Sequence, residues 1–255
     1  MKSPTAVIAY YTFQEALRNR LFALTLAGLV CLLGITEFIG ELAVTETAGI
    51  QALIVGSGMR LFAVCTVSLF VITSTVREFN DKGFELILSL PIPRHSYFFG
   101  KFCGFLLLAL VIAAAAAVLL LLYSDTVPVL IWLLSLVSEL AIMIALSLLL
   151  LLTFSNITVS FMLALAFYLL ARSMSAIQLI AHSPILESDT LSQAFMNHLV
   201  DAAAFLLPEL HNFTRSDWLV YGVSWRDIGV VGGQTLIYVV LLSAAGLFDL
   251  YRKDL

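Results

Sequence analysis

Charge is what this chain has least of. Asp, Glu, Lys and Arg make up 12% of its 255 residues, against 61% apolar, where an average globular protein carries about 25% and about 45–50%. So few polar groups could not cover the surface of a soluble fold of this size, and a water-soluble domain is excluded. The basic residues are also thin: 13 Lys and Arg against 17 Asp and Glu give −4. No cluster among them could neutralise a row of phosphates, which excludes a nucleic-acid partner. Cysteine is scarce and odd in number. Cys31, Cys65 and Cys103 each lie inside an apolar run, so they form neither a disulfide framework nor a thiolate metal site and read as small packing residues.

Catalytic signatures are missing as well. The sole Gly-Lys pair, Gly100-Lys101, is followed by Phe102, and His95 stands where a phosphate-binding loop needs its first glycine, so the chain cannot hydrolyse ATP alone. It contains no H-E-x-x-H, no G-x-S-x-G and no close pair of intramembrane aspartates, which removes support for the commoner membrane hydrolases. Met1 to Phe13 lacks the apolar core and cleavage site of a signal peptide, since Pro4 opens it and Gln14 and Glu15 close it, so the N-terminus is expected to stay on the mature protein.

What is present in quantity is hydrocarbon. Mean hydropathy is +1.04, and a helical crossing needs about 20 apolar residues. Six spans follow: Leu21 to Ile39, Leu61 to Val76 with an extension from Ile50, Phe98 to Tyr123, Val127 to Phe154, Ile157 to Ala171, the shortest, and Ile228 to Tyr251. The fold class is therefore an all-α polytopic membrane protein. Before the first span, Val7, Ile8, Tyr11 and Leu17 lie near helical spacing with Glu15, Arg18 and Arg20 between them, the pattern of an amphipathic helix in the membrane surface.

Basic residues set the orientation, because cytoplasmic loops hold the excess of Lys and Arg. With the N-terminus inside, Lys2, Arg18, Arg20, Arg77, Lys82, Arg94, Lys101, Arg252 and Lys253 are cytoplasmic, and only Arg60, Arg172, Arg215 and Arg226 are outside. Both termini are expected in the cytoplasm of a multi-pass protein of the cell inner (plasma) membrane.

Two segments do not span. The cytoplasmic one, Arg77 to Phe99, has a polar start, an apolar stretch from Phe84 to Leu90 and two prolines that end any helix. The outer one, Arg172 to Asp227, contains a helical pattern with Leu191, Phe195, Leu199 and Leu206 on one face and Gln193, Asn197, His198 and Asp201 on the other, capped by Ser188 or Asp189. This suits a helix at, or dipping into, the outer interface. His182, His198 and His211 fall among Glu187, Asp189, Asp201 and Glu209 there, but the spacing matches no metal-ligand pattern and reads as solvated loop. Asn212-Phe213-Thr214 fits a glycosylation sequon, a pattern frequent by chance. The run Ala113 to Ala117 reads either as a close helix approach or as lipid-facing filler.

Four charges inside the spans share one depth. Glu37, Arg60, Glu139 and Arg172 each lie about 16–17 residues, or roughly 25 Å, from the cytoplasmic ends marked by Arg20, Arg77 and Asn156. An unpaired charge there is costly, so Glu37 is expected to meet Arg60, and Glu139 to meet Arg172, closing the outer end of the pathway; the alternative is that each snorkels to the headgroups.

The segment Arg77 to Lys101 resembles the cytoplasmic signature of the type-2 permease family of ATP-binding cassette (ABC) exporters: Glu78, Gly83, Glu85, the run Leu86 to Leu90, Pro91 with Arg94, and Gly100-Lys101. Gln14 to Arg20 is similar to the family's N-terminal elbow helix, and the span count and the large outer segment also agree. Phe84 departs from the small polar residue often found after the glycine. The resemblance covers essentially the whole chain as a single permease domain, with residues 1–20 as elbow, 77–97 as coupling region and 172–227 as outer segment. It implies a transporter subunit that is not itself an enzyme, with a second permease subunit (a homodimer or a homologous heterodimer) and two copies of a cytoplasmic ABC ATPase that hold the ATP and Mg; no cofactor binds this chain. Arg77, Glu78, Phe79, Asp81, Lys82, Gly83, Phe84, Glu85, Leu88 and Pro91 would couple to the ATPase, and Glu15, Arg18 and Arg20 would belong to the elbow. Apart from the resemblance, the mix of Phe79, Phe84 and Leu88 with Arg77, Glu78, Asp81 and Lys82 offers an apolar anchor with a charged rim, the anatomy of a docking surface, although an ordinary interfacial connector helix has the same composition.

Two other readings stand beside this one: a stand-alone polytopic membrane enzyme acting on a lipid or head group through the outer acidic and histidine residues, and an assembly subunit that anchors a soluble complex. Spans rich in Leu, Phe and Ala fit a lipidic or amphipathic cargo better than a hydrated ion, but name no substrate.

Overall fold

The structure, a computed structural model, describes residues 3–42, 47–80, 93–181, 197–202, 204, 207–213, 218–221 and 225–252. Among them there are helices and no strands: α1 (Pro4–Arg18), α2 (Arg20–Leu42), α3 (Thr47–Asn80), α4 (Arg94–Leu120), α5 (Thr126–Phe154), α6 (Ile157–Ala181), the single turns α7 (Leu210–Phe213) and α8 (Trp218–Tyr221), and α9 (Trp225–Arg252). Six stretches are long and apolar enough to cross a membrane: Arg20–Phe38, Gln51–Phe79, Arg94–Leu120, Thr126–Phe154, Ile157–Ala181 and Ile228–Arg252. The chain is an all-α, multi-pass membrane protein.

Local chemistry sets the breaks. Pro4 starts α1 at a position where its missing N–H costs nothing. Asn19 ends α1 with its backbone N–H on the Ala16 carbonyl and then accepts the Leu21 N–H on its side chain at 3.0 Å, so one residue separates the surface helix from the first span. The α5–α6 link is as short. Ser155 takes a left-handed conformation (φ 53°) and donates its N–H to Leu151 at 2.9 Å, and Asn156 caps α6 through the Thr158 N–H at 2.9 Å. Within the spans, the Thr25, Thr36, Thr66, Thr73 and Thr75 hydroxyls donate to carbonyls four residues back, a self-contained solution where no water is available.

α5 is the central helix and packs on α3, α4, α6 and α9. Its buried face runs from Val129 and Trp132 through Leu136 and Leu140 to Leu151, and it is apolar nearly all round, as a helix enclosed by others must be. α2 and α9 are peripheral, with Leu24, Val30, Phe38, Leu236, Ile237 and Phe248 exposed. Ala113, Ala116 and Ala117 are buried on α4, which favours the close-approach reading of the alanine run.

Two expectations change. The fifth span does not end at Ala171: α6 continues to Ala181, because Arg172 keeps its guanidinium on the Tyr168 hydroxyl one turn back (3.0 Å) instead of breaking the helix. Cys31 and Cys103 are exposed and only Cys65 is half-buried, so two of the three are surface residues, not packing residues. The inward face of α1 is Ala9, Thr12 and Ala16, while Val7, Tyr11 and Leu17 are exposed; small residues face the protein, and the large apolar ones are left for the membrane, in keeping with the amphipathic pattern. In the outer segment, His198, Leu199 and Asp201 are exposed and Val200 is buried, while Leu191, Gln193, Phe195 and Leu206 lie outside the described residues.

Candidate functional site

Two charged clusters sit at different depths in the bundle. The first joins the two ends of the 81–92 connector. Glu78, near the end of α3, presents one carboxylate oxygen to two residues of α4: it accepts the Tyr97 hydroxyl at 2.8 Å and pairs with the Lys101 ammonium at 2.8 Å. Tyr97 and Lys101 are four residues apart and therefore on one helical face. The Lys101 side chain is 3% exposed, and its ammonium lies 5.7 Å from the Phe105 ring. A buried ammonium without a counter-charge would be strongly destabilising, and the Glu78 carboxylate supplies that counter-charge.

The structure describes only part of the expected coupling surface. Glu78 has its carboxylate turned onto α4, and Phe79 is half-buried against the Ile72, Val76 and Leu151 cluster; only Arg77 is exposed. Asp81, Lys82, Gly83, Phe84, Glu85, Leu88 and Pro91 lie outside the described residues.

α1 is clamped beside this lock. It runs along the start of α4, where a Cβ on Gly104 would come within 2.7 Å of the Thr12 Cβ and 2.8 Å of the Ala9 carbonyl oxygen, and one on Gly100 within 2.8 Å of Ile8. Only glycine permits that approach. Gly100-x-x-x-Gly104 was the available signal for it in the sequence. The Ser74 hydroxyl of α3 donates to Glu15 of α1 at 3.3 Å. Arg94 caps the other end of the chain, donating to the Leu250 carbonyl at 2.9 Å.

The second cluster lies deep in the bundle. Arg60 on α3 donates to Glu139 on α5 at 2.8 Å, and both side chains are wholly buried. With α5 extending roughly 20 Å to either side of Glu139, this is the middle of the helix, not a rim. The same Arg60 nitrogen reaches the Ser135 hydroxyl at 3.3 Å, which donates to the Phe213 carbonyl of α7. The guanidinium also lies 5.0 Å from the Trp132 ring. Tyr168 on α6 is within electrostatic range of Glu139, Arg60 and Arg172. Among the described residues, Arg60 Nε and Nη2, Glu139 Oε1 and Trp132 Nε1 have no hydrogen-bond partner, so the pair is held there by one of its possible bonds.

The four charges at one depth therefore combine differently from the expectation. Arg60 meets Glu139, not Glu37, and Arg172 reaches Tyr168, not Glu139. Glu37 accepts a hydrogen bond from the Tyr123 hydroxyl in the α4–α5 link. Burial, and then the Glu37 carboxylate, push the Tyr123 phenol up to about 12.

Among the described residues, no three potential metal ligands come together; His182, Glu187 and Asp189 lie outside them. What the described geometry does chemically is hold two sets of helices together through ion pairs. The chain matches no protein-family model, and no curated protein is significantly similar to it.

Proposed function

We propose that this chain is the permease subunit of an ABC exporter, with both termini in the cytoplasm, moving a lipidic or amphipathic substrate with ATP hydrolysed on separate subunits. The observation that carries the reading is the Glu78–Lys101–Tyr97 lock. A displacement of the 81–92 connector cannot separate α3 from α4, because both of its ends are pinned to one carboxylate. The displacement instead moves the two helices together, and α3 carries it up to Arg60, where it meets the buried pair with α5. Two clusters on one continuous helix form a lever from the membrane surface to the bundle centre, which is what coupling to an external ATPase requires. The resemblance of Arg77 to Lys101 to the family's coupling signature supplies the partner class.

The test is purification of the full chain with the products of its neighbouring genes in mild detergent. A stoichiometric ATPase is expected, and it should be lost from the inserted Phe84→Asp/Leu88→Asp variant, because two charges would enter an apolar docking patch. Capture of the ATPase at wild-type yield by that variant overturns the assignment of the docking patch. Transfer activity on lipid head groups by the chain alone would favour the membrane-enzyme reading instead.

A further inference from the structure

A cleft of about 800 Å³ opens between α1, the start of α2 and the end of α3. Three arginines from three elements line it: Arg18 in the last turn of α1, Arg20 at the first position of α2, and Arg77 in the last turn of α3. The break at Asn19 puts Arg18 and Arg20 on either side of the fold between the surface helix and the span. All three are exposed, and among the described residues none has an ion-pair partner. The one carboxylate lining the cleft, Glu15, accepts the Ser74 hydroxyl, so the lining carries a net charge of about +2. Like charges lining one cleft repel, and an anion among them offsets that repulsion. The positive end of the α2 dipole adds to the pull on an anion.

The surroundings say what kind of anion. Tyr11 (64% exposed) lines the cleft, and on the same two helices Leu17 (38%) and Leu24 (64%) add exposed apolar surface that water does not favour. α1 turns its small residues to α4 and its large apolar ones outward, as a helix at the headgroup level does, and a tyrosine such as Tyr11 belongs at that depth. A tetrahedral phosphate matches the planar donor forks of several guanidiniums, and Gln14 and Asn19 add neutral donors. A free phosphate satisfies the arginines but leaves the apolar rim bare. A phospholipid satisfies both. A choline head group would bring its own cation beside three others, so the lipid is anionic.

We propose that this cleft binds the headgroup phosphate of an anionic phospholipid, drawn from the leaflet in which the basic residues of the chain collect. The inference needs no ATPase and does not rest on the permease reading. It is tested on the full chain purified alone, by native mass spectrometry with added phosphatidylglycerol, phosphatidylcholine or inorganic phosphate. One phosphatidylglycerol should be retained, phosphatidylcholine should not, and millimolar inorganic phosphate should not displace the bound lipid. Arg18→Gln/Arg20→Gln/Arg77→Gln should weaken retention roughly a hundredfold, at about fivefold per basic group, while the corresponding triple lysine variant keeps the preference for the anionic lipid. If the triple glutamine variant does not insert, Arg77→Gln alone should still weaken retention about fivefold. Equal retention of phosphatidylcholine, or unchanged retention by the glutamine variants, overturns the proposal. Displacement by inorganic phosphate reduces the cleft to a small-anion site and overturns the lipid assignment.

Discussion

Arg60 and Glu139 meet at 2.8 Å across α3 and α5, both wholly buried and joined through a single guanidinium nitrogen. Deleting one partner leaves the other charge in hydrocarbon, whereas replacing both by apolar groups removes the desolvation cost together with the attraction. Glu139→Gln should therefore lower stability in detergent by about 3–5 kcal/mol, and Arg60→Met/Glu139→Leu should recover most of that loss. Thermal unfolding of the three proteins decides it; a double variant no more stable than Glu139→Gln would show that the pair is net stabilising.

Gly104 lets α1 lie against α4. Gly104→Ala adds a methyl 2.8 Å from the Ala9 carbonyl oxygen, a backbone atom that cannot rotate away. The overpacking should cost about 1–3 kcal/mol and lift α1. In a background with Cys31, Cys65 and Cys103 replaced, Thr12→Cys is buried and should react slowly with a membrane-permeant maleimide; Gly104→Ala should accelerate that reaction. An unchanged rate would mean that α1 is not held by this contact.

The Tyr123–Glu37 bond carries a pH signature. A phenol raised from its ordinary value of 10.0 to about 12 favours the folded state while it is protonated. That contribution is complete below pH 10 and is lost as the pH rises through 12. The difference in tyrosinate absorbance between the parent chain and Tyr123→Phe should titrate near 12, and Glu37→Gln should bring it down by removing the carboxylate's share, leaving the effect of burial. A difference titrating near 10 in the parent chain would refute the contact.

Orientation has its own test. In the same cysteine-free background, Asp81→Cys and Lys253→Cys should be protected from an impermeant thiol reagent in intact cells, and Glu46→Cys and Asp217→Cys should label. The expectation rests on the nine-to-four distribution of basic residues. Labelling at residue 253 with protection at residue 217 would reverse the chain or change the number of crossings.

The six spans were legible because hydropathy along one chain is a one-dimensional property. Depth was partly legible for the same reason: counting residues placed Arg60 and Glu139 in one layer, and that is where they meet. Which charge faces which is set by the rotation of each helix about its axis and by which helices are neighbours. Expecting sequential helices to pair gave Glu37 to Arg60, whereas α3 packs on α5 and turns Arg60 to Glu139. Glu78 and Lys101 could have been matched by the same counting from the ends of the connector, since one closes α3 and the other lies in the second turn of α4. The protein-facing side of α1 was legible only in part, for a different reason. Periodicity locates its large apolar residues, but the inward place of Ala9, Thr12 and Ala16 depends on the helix they meet.

Arg94 holds the Leu250 and Tyr251 carbonyls, partners 156 and 157 positions further along the chain. At a synthesis rate of about 5–20 residues per second, the first residue of α4 waits roughly 8–30 s before those carbonyls leave the ribosome. Through that interval the guanidinium makes neither of these two bonds. α4 and α5 are in the bilayer long before α9 can join them, and the face of α5 that α9 will cover stays open to lipid or to an insertion factor. A ribosome pause between residues 154 and 225 would prolong the life of that half-closed bundle, which makes the codons of that stretch a place where folding yield is set.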